Sequence, residues 1–145
     1  MSKPFKFSLE KILDLRIQRE EQAQQNLARA KLEYQTQTEL VKKIKNELHQ
    51  HQAKFLAQKN LTPAELWLWT TYRDNLKADL AVAEKKLHLL AQKVNTCRQE
   101  VILRSKERKL LEKFKQKQMI RHEYEQKQKE QKEFDEMAVL RFQQR

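Results

Sequence analysis

The chain has 145 residues, a formal net charge of +11, 35% charged residues, 39% hydrophobic residues, two prolines and no glycine. A protein of this length ordinarily contains roughly ten glycines. Phosphate-binding loops of the Walker or Rossmann type and tight β-hairpin turns require glycine, so these nucleotide-binding and β-rich classes are excluded. Because the apolar content is too low for an ordinary compact globule, the sequence favours either a long helical assembly or a disordered chain.

The N-terminal stretch is short and polar, and no apolar run in the chain approaches 18 residues. The sequence therefore predicts neither a signal peptide nor a membrane segment, and we expect a cytoplasmic protein. A weak helix start is Ser8, which Phe7 and Ile12 flank as a hydrophobic staple.

A heptad pattern begins at Leu9. Alternating steps of four and three residues from Leu9 to Phe55 pass through fourteen positions, of which ten are apolar. This pattern predicts a coiled-coil helix over about residues 9–58. We call these heptad positions the seam of the first helix: Leu9, Leu13, Arg16, Glu20, Ala23, Leu27, Ala30, Tyr34, Gln37, Val41, Ile44, Leu48, His51 and Phe55.

The one strong break in the pattern predicts a turn over residues 59–63. Thr62 can cap the next helix with its hydroxyl, Pro63 suits the first helical position, and Glu65 completes a capping box. Leu61 and Leu66 then stand at the positions of a hydrophobic staple. These cues predict a second helix over about residues 64–140.

The second helix has its own seam, in which eleven of fourteen positions are apolar. Because a short loop makes two long helices antiparallel neighbours, we expect an all-α fold, a long two-helix antiparallel coiled-coil hairpin forming a single domain over residues 1–145. Folding about the turn places Leu9 opposite residue 112, so a basic extension over about residues 113–145 should lack a partner and overhang. The second seam consists of Leu66, Trp69, Arg73, Leu76, Leu80, Ala83, Leu87, Leu90, Val94, Cys97, Val101, Arg104, Arg108 and Leu111.

The sequence contains no pattern typical of a catalytic site or a metal site. His49 and His51 are two residues apart on a helix and point to different faces, which argues against a zinc site. Cys97 occupies a seam position and is expected to be a small buried hydrophobe. No serine, histidine and carboxylate constellation is present, so we expect no enzyme, no cofactor and no metal.

Two features of the surface allow two interpretations each. The aromatic residues after the turn, with Trp69 in the seam and Trp67 and Tyr72 outside it, either cap the loop end of the hairpin or form an exposed partner site. The positive charge indicates either a general affinity for polyanions or a solvated coiled-coil surface. Specific DNA recognition of the basic-zipper kind is disfavoured, because the basic stretch follows the heptads.

Three stretches resemble a known family. Residues 5–16 (FKFSLEKILDLR) with residues 20–24 (EEQAQ) are similar to the N-terminus of the FliJ proteins, the coiled-coil components of the flagellar type III export apparatus. Residues 104–115 (RSKERKLLEKFK) and 130–138 (EQKEFDEMA) are similar to their C-terminal half. Order, length and both ends agree over nearly the whole chain.

The resemblance implies a non-enzymatic stalk, similar to the coiled coil of the rotary ATP synthase γ subunit, that inserts into the pore of the hexameric export ATPase FliI. It implies that the chain promotes assembly of the ATPase ring, contacts the export-gate protein FlhA, and binds export chaperones. The chain would then lie in the cytoplasm, at the cytoplasmic face of the inner membrane through the export apparatus, with no specific nucleic acid and no membrane insertion.

On this basis we expect two contact sites. Contacts with the ATPase ring are assigned to Phe7, Leu9, Ile12, Leu13, Arg16, Arg108, Leu111, Phe114 and Arg121. Contacts with the export gate are assigned to Trp67, Trp69, Tyr72 and Leu76. Two alternatives remain open: the equivalent stalk of a virulence-type injectisome, and a generic basic coiled coil that binds polyanions.

Overall fold

Two α-helices make up nearly all of the fold. The computed structural model describes residues 3–144, with α1 at Glu10–Ala57 and α2 at Pro63–Gln143. The helices pack against each other, and residues 3–144 contain no β-strand. The protein is therefore an all-α helical hairpin, which confirms the predicted fold class.

The contacts divide the chain into two compact units. Residues 22–101 form one unit, which contains the turn between the helices. Among the described residues, 3–21 and 102–144 form the other, which contains the start of α1 and the last part of α2. We call them the turn unit and the terminal unit.

Buried side chains lie almost entirely at the seam positions. Within residues 3–144, seven of the eight buried hydrophobic residues and all three buried polar residues belong to the seams, and Phe7 is the exception. Periodic burial of this kind is what a heptad pattern produces when two helices wrap around each other. The buried seam residues are Leu13, Glu20, Ala23, Ala30, Gln37, Val41, His51, Leu76, Ala83 and Leu111.

Small side chains are among the best buried residues of the seams. Ala23, Ala30 and Ala83 are between 1% and 5% exposed, whereas no large side chain within residues 3–144 is completely buried. Two helices alone leave the sides of a long side chain open to water, while a methyl group is covered completely and lets the backbones approach. The low apolar content of the chain is therefore compatible with a packed seam.

The turn is held by local hydrogen bonds and one left-handed residue. Asn60 has a φ of 61°, a conformation that asparagine tolerates better than most residues with a Cβ. The Thr62 Oγ1 accepts a hydrogen bond of 3.2 Å from the backbone N–H of Glu65, so the cap indicated by the sequence is present. Pro63 is the first residue of α2, where its missing N–H leaves no bond unmade.

We expect Asn60→Ala to lower the free energy of unfolding by about 1 kcal/mol, because the Cβ of alanine disfavours the left-handed conformation. Asn60→Gly should change it by less than about 0.5 kcal/mol, since glycine adopts this conformation freely. Urea unfolding followed by circular dichroism measures both.

A matched control is Asn75→Ala, at an exposed position inside α2. Alanine is the better helix former there, so the free energy of unfolding should stay unchanged or rise slightly. An equal decrease in the free energy of unfolding for Asn60→Ala and Asn60→Gly would contradict the role of the left-handed conformation.

Candidate partner-binding surfaces

The N-terminal segment, residues 3–9, packs along α2 in the terminal unit. Phe7 is 8% exposed and forms a small core with Leu13 and Leu111, against which Phe5, Leu9 and Ile17 pack. The Phe7 ring meets the edge of the Phe114 ring at 6.1 Å, and the Lys115 ammonium lies 6.0 Å from its centroid. Aromatic edge contacts and a cation over a ring face both add to the apolar burial.

This segment extends the contact beyond the end of the second seam. Lys115 forms an ion pair of 2.8 Å with Glu10, and the His122 Nε2 donates a hydrogen bond of 2.9 Å to the backbone carbonyl of Lys3. The Phe5 ring lies 5.6 Å from the His122 ring. The sequence places the start of the unpaired extension at about residue 113, whereas these contacts reach residue 122. The difference arises because the N-terminal segment, which heptad periodicity does not describe, packs on α2 beyond residue 113.

A charge cluster joins α1 to α2 in the same unit. Glu20 is 9% exposed and accepts hydrogen bonds from Nε and Nη2 of Arg108, while Nη1 of Arg108 donates to Glu112 at 2.8 Å. The hydrogen bonds that Arg108 donates to Glu20 and, second in size, to Glu112 raise the pKa of Arg108 above its ordinary value. The guanidinium is therefore charged, as arginine is throughout in proteins.

Three further polar seam residues bond to backbone carbonyls of α2. Arg16 donates to the carbonyl of Glu107 at 2.8 Å, and the Gln37 amide donates to the carbonyl of Ala83 at 3.0 Å. His51 contacts the carbonyl of Trp69 at 2.9 Å through Nε2, which must carry the proton because a carbonyl only accepts. A carbonyl inside a helix has a second lone pair, so these bonds leave the helix intact.

The residues predicted to contact the ATPase ring divide into buried and exposed ones. Phe7, Leu13 and Leu111 are buried in the core of the terminal unit, and Leu9, Arg16 and Arg108 are half-buried. The remaining three are open to solvent: Ile12 and Phe114, each 44% exposed, and Arg121, which pairs with Glu125 of the next helical turn. The buried members can support a contact surface, but only the exposed members are free to form one.

The last part of α2 is uncovered. Every described residue after Gln126 is exposed, up to Gln144. Large apolar side chains nonetheless return there, with exposed fractions between 56% and 83%. We call residues 127–144 the tail, and its exposed apolar residues are Phe134, Met137, Val139, Leu140 and Phe142.

At the turn end, the aromatic residues divide between a core and a surface. The Trp69 ring lies 4.7 Å from the ring of His51 and 5.9 Å from that of Phe55, so Trp69 belongs to the packing. Tyr72 also contacts His51, at 4.7 Å, but remains 50% exposed. Trp67 is 64% exposed.

The four residues predicted to contact the gate therefore differ in their environments. Leu76 is 7% exposed and Trp69 is half-buried, while Trp67 and Tyr72 present apolar surface to solvent. An open cavity of about 270 Å³ lies beside Trp69, lined also by Leu48, Phe55 and Arg73. Trp69 and Leu76 therefore belong to the packing at the turn end, while Trp67 and Tyr72 form an exposed aromatic surface.

The described residues contain no group of three or more metal-ligating side chains. Cys97 lies half-buried in the seam of the turn unit. Within residues 3–144, neither helix has a stretch apolar enough to span a membrane.

These features define the class of the protein: a two-helix coiled coil whose distinctive surfaces are exposed apolar and charged faces. The family model described as Flagellar FliJ protein matches residues 5–145. The chain belongs to the FliJ family, as the resemblance in the sequence predicts, and is a coiled-coil protein related to flagellar export. Searches of curated proteins and of solved structures gave no match.

We expect Glu20→Ala to lower the thermal unfolding temperature, because it removes the carboxylate that the partly buried guanidinium of Arg108 faces across the helices. The double substitution Glu20→Leu with Arg108→Leu should recover most of the loss, since two apolar side chains fill a seam layer without desolvating a charge. Circular dichroism during heating measures both variants.

Glu39→Ala is the matched control, because Glu39 is an exposed residue of α1 and its loss changes the net charge equally. It should leave the unfolding temperature nearly unchanged. Equal shifts for Glu20→Ala and Glu39→Ala would show that the cluster adds nothing to stability.

Proposed function

We propose that this protein is the non-enzymatic stalk of the flagellar export ATPase. It inserts into the central pore of the hexameric FliI-like ring, promotes assembly and activity of the ring, and links the ring to an FlhA-like export gate. Export chaperones are a further class of partner. The protein acts in the cytoplasm, at the cytoplasmic face of the inner membrane, where the export apparatus holds it.

The observation that carries the proposal is the uncovered tail. Phe134, Met137, Ala138, Arg141 and Phe142 recur at helical spacing, so the apolar side chains share a broad face of α2. An exposed apolar face of this kind on a highly charged chain favours a protein partner. Membership of the FliJ family supports the flagellar export ATPase as that partner.

The terminal unit supports the tail in this role. The core around Phe7 and the pairs Glu20–Arg108 and Glu10–Lys115 hold the N-terminal segment and α1 to α2 just before the tail begins. We assign additional ring contacts to Ile12, Phe114 and Arg121, the exposed members of the sequence-predicted set. Charged contacts at the surface are weak and screened by salt, which suits a partner that must shift against the ring rather than lock to it.

We expect the double variant Phe134→Ser with Phe142→Ser to lose most of the stimulation of a purified flagellar export ATPase. Aromatic side chains are frequent anchors of protein interfaces, so the affinity for the ring should fall by about tenfold or more. Both side chains are largely exposed, so the free energy of unfolding should change by less than about 0.5 kcal/mol. ATP hydrolysis against stalk concentration and urea unfolding measure the two effects.

The control variant is Gln128→Ser with Gln131→Ser, two exposed polar positions on the same stretch of helix. It introduces the same two serines without removing apolar surface, so it should stimulate the ATPase as the unmodified chain does. Full stimulation by the phenylalanine variant would rule out the tail as the ring contact.

We assign the gate contact to the exposed aromatic surface of Trp67 and Tyr72. Trp67→Ala should weaken binding to the export-gate protein and change the free energy of unfolding by less than about 0.5 kcal/mol, because the indole touches little of the fold. Trp69→Ala should instead lower the free energy of unfolding by about 3 kcal/mol, since that indole packs on His51 and Phe55.

Binding of the purified gate protein and urea unfolding of each variant measure these effects. Unchanged gate affinity in Trp67→Ala would remove the loop-end aromatics from the gate contact. A large loss of stability in the same variant would place Trp67 in the structural cap.

A further inference from the structure

The outward side of α2 in the terminal unit carries an unusual set of residues. Between residues 102 and 120, the three heptad positions farthest from the seam are occupied by four aliphatic residues, four lysines and one glutamine, and all nine are exposed. No acidic residue stands among them. We call this set the basic face, and it consists of Ile102, Leu103, Lys106, Lys109, Leu110, Lys113, Gln116, Lys117 and Ile120.

The same outward positions elsewhere have balanced charge. Between residues 67 and 99 of α2 they contain one aspartate and one lysine, and between 123 and 144 two acidic and two basic residues. In α1 they contain four basic and three acidic residues. The basic face is therefore a local feature and does not follow from the high net charge of the chain.

The lysines of the basic face are unpaired. Among residues 3–144, none of the four has an ion pair or hydrogen bond. Three lysines at other heptad positions have partners: Lys115 pairs with Glu10, Lys93 with Glu33, and Lys45 with Glu84. The four lysines of the basic face have no carboxylate partner within the described residues and are available to an external anion.

The composition of the face favours a lipid surface over other anionic partners. Lysine is depleted from the cores of protein interfaces, and this face lacks the tyrosine, tryptophan and arginine that anchor them. Nucleic acid would use the lysines but would have no role for four exposed isoleucine and leucine side chains. Clusters of four or more basic residues among aliphatic ones on a helix are typical of contact with anionic headgroups.

We propose that the basic face binds the surface of a membrane that contains anionic lipids. Lysine side chains are long enough to lay their methylene stems along the helix and place the ammonium groups among the lipid phosphates. Ile102, Leu103, Leu110 and Ile120 then enter the headgroup region. The face covers about 27 Å of helix at 1.5 Å per residue.

The contact lies on the membrane plane and does not cross it, since no stretch within residues 3–144 is apolar enough to span. This inference concerns the chain outside the ATPase ring and goes beyond the proposed stalk function, because the basic face occupies the same stretch of α2 as the proposed ring contact Phe114. It uses other side chains than those assigned to the ATPase ring or the export gate, and its test uses the full chain alone.

The experiment is co-sedimentation of the full chain with phosphatidylcholine vesicles, with and without a minor fraction of phosphatidylglycerol. We expect binding only to the anionic vesicles, and its loss at about 0.5 M salt, where the Debye length is only a few ångströms. Substitution of the four lysines by glutamine should lower the partition coefficient by at least about tenfold.

The control variant replaces four lysines that lie outside the basic face. Lys42, Lys43, Lys85 and Lys86 are exposed residues of the turn unit, and their replacement by glutamine gives the same net charge. This variant should keep most of the vesicle binding. Equal losses in the two variants would assign binding to net charge and overturn the proposal, as would binding of duplex DNA without binding of anionic vesicles.

A second pair of variants tests the aliphatic side chains at constant charge. Leu110→Ser with Ile120→Ser should weaken binding to anionic vesicles several-fold, because two apolar side chains no longer leave water. Leu32→Ser with Leu89→Ser, both exposed in the turn unit, should not. Circular dichroism confirms that the helices persist, and unchanged vesicle binding in the first pair would overturn the lipid assignment.

Discussion

The fold depends on polar side chains that are satisfied across the seam. Most seam positions are apolar, but several are occupied by charged or amide side chains, and each of these needs a partner where the two helices pack. Each of Arg16, Gln37 and His51 bonds to a backbone carbonyl of α2, and Glu20 pairs with Arg108. A polar side chain left without a partner in the seam would lower the free energy of unfolding by more than its hydrogen bond raises it. The hydrogen bonds and the ion pair therefore favour the one register of the two helices in which they all form.

Because the seam residues set the register of the two helices, the side chains at the outer heptad positions are not needed for helix packing. This freedom explains why chemically different surfaces follow one another along α2: exposed aromatics after the turn, lysines with aliphatics between residues 102 and 120, and apolar side chains in the tail. A solvated coiled coil needs none of these apolar groups on its outer face. The three binding surfaces proposed for this protein share this position outside the packing and differ in the partner chemistry that each would suit.

Heptad periodicity is what made most of the fold predictable from sequence. The steps of four and three residues identify the buried face of each helix, and Thr62 and Pro63 identify the start of α2 through a cap that depends on local geometry alone. The N-terminal segment could not be placed in this way, because an extended stretch has no helical period. Its two phenylalanines, Phe5 and Phe7, and the staple position of Phe7 indicate that it packs, but they do not identify its partners on α2.

The candidate surfaces were less predictable for a related reason. The sequence assigns residues to the seam or to the outside, but exposure also depends on which neighbours a side chain reaches. Tyr72 stands at the edge of the seam and still contacts His51, while Trp67, five residues earlier, is mostly exposed. Phe7 lies before the helix and outside the heptads, yet it is part of the best-defined core of the terminal unit.

The structure explains why the chain can fold without glycine. Glycine is favoured where φ is positive, and within residues 3–144 one residue has a positive φ, Asn60 in the turn between the helices. Inside α1 and α2 a glycine would only weaken the helix, by about 1 kcal/mol at an interior position. A continuous α2 keeps the seam, the basic face and the tail on one helix, so the heptad register that fixes the seam also fixes the direction in which each surface points.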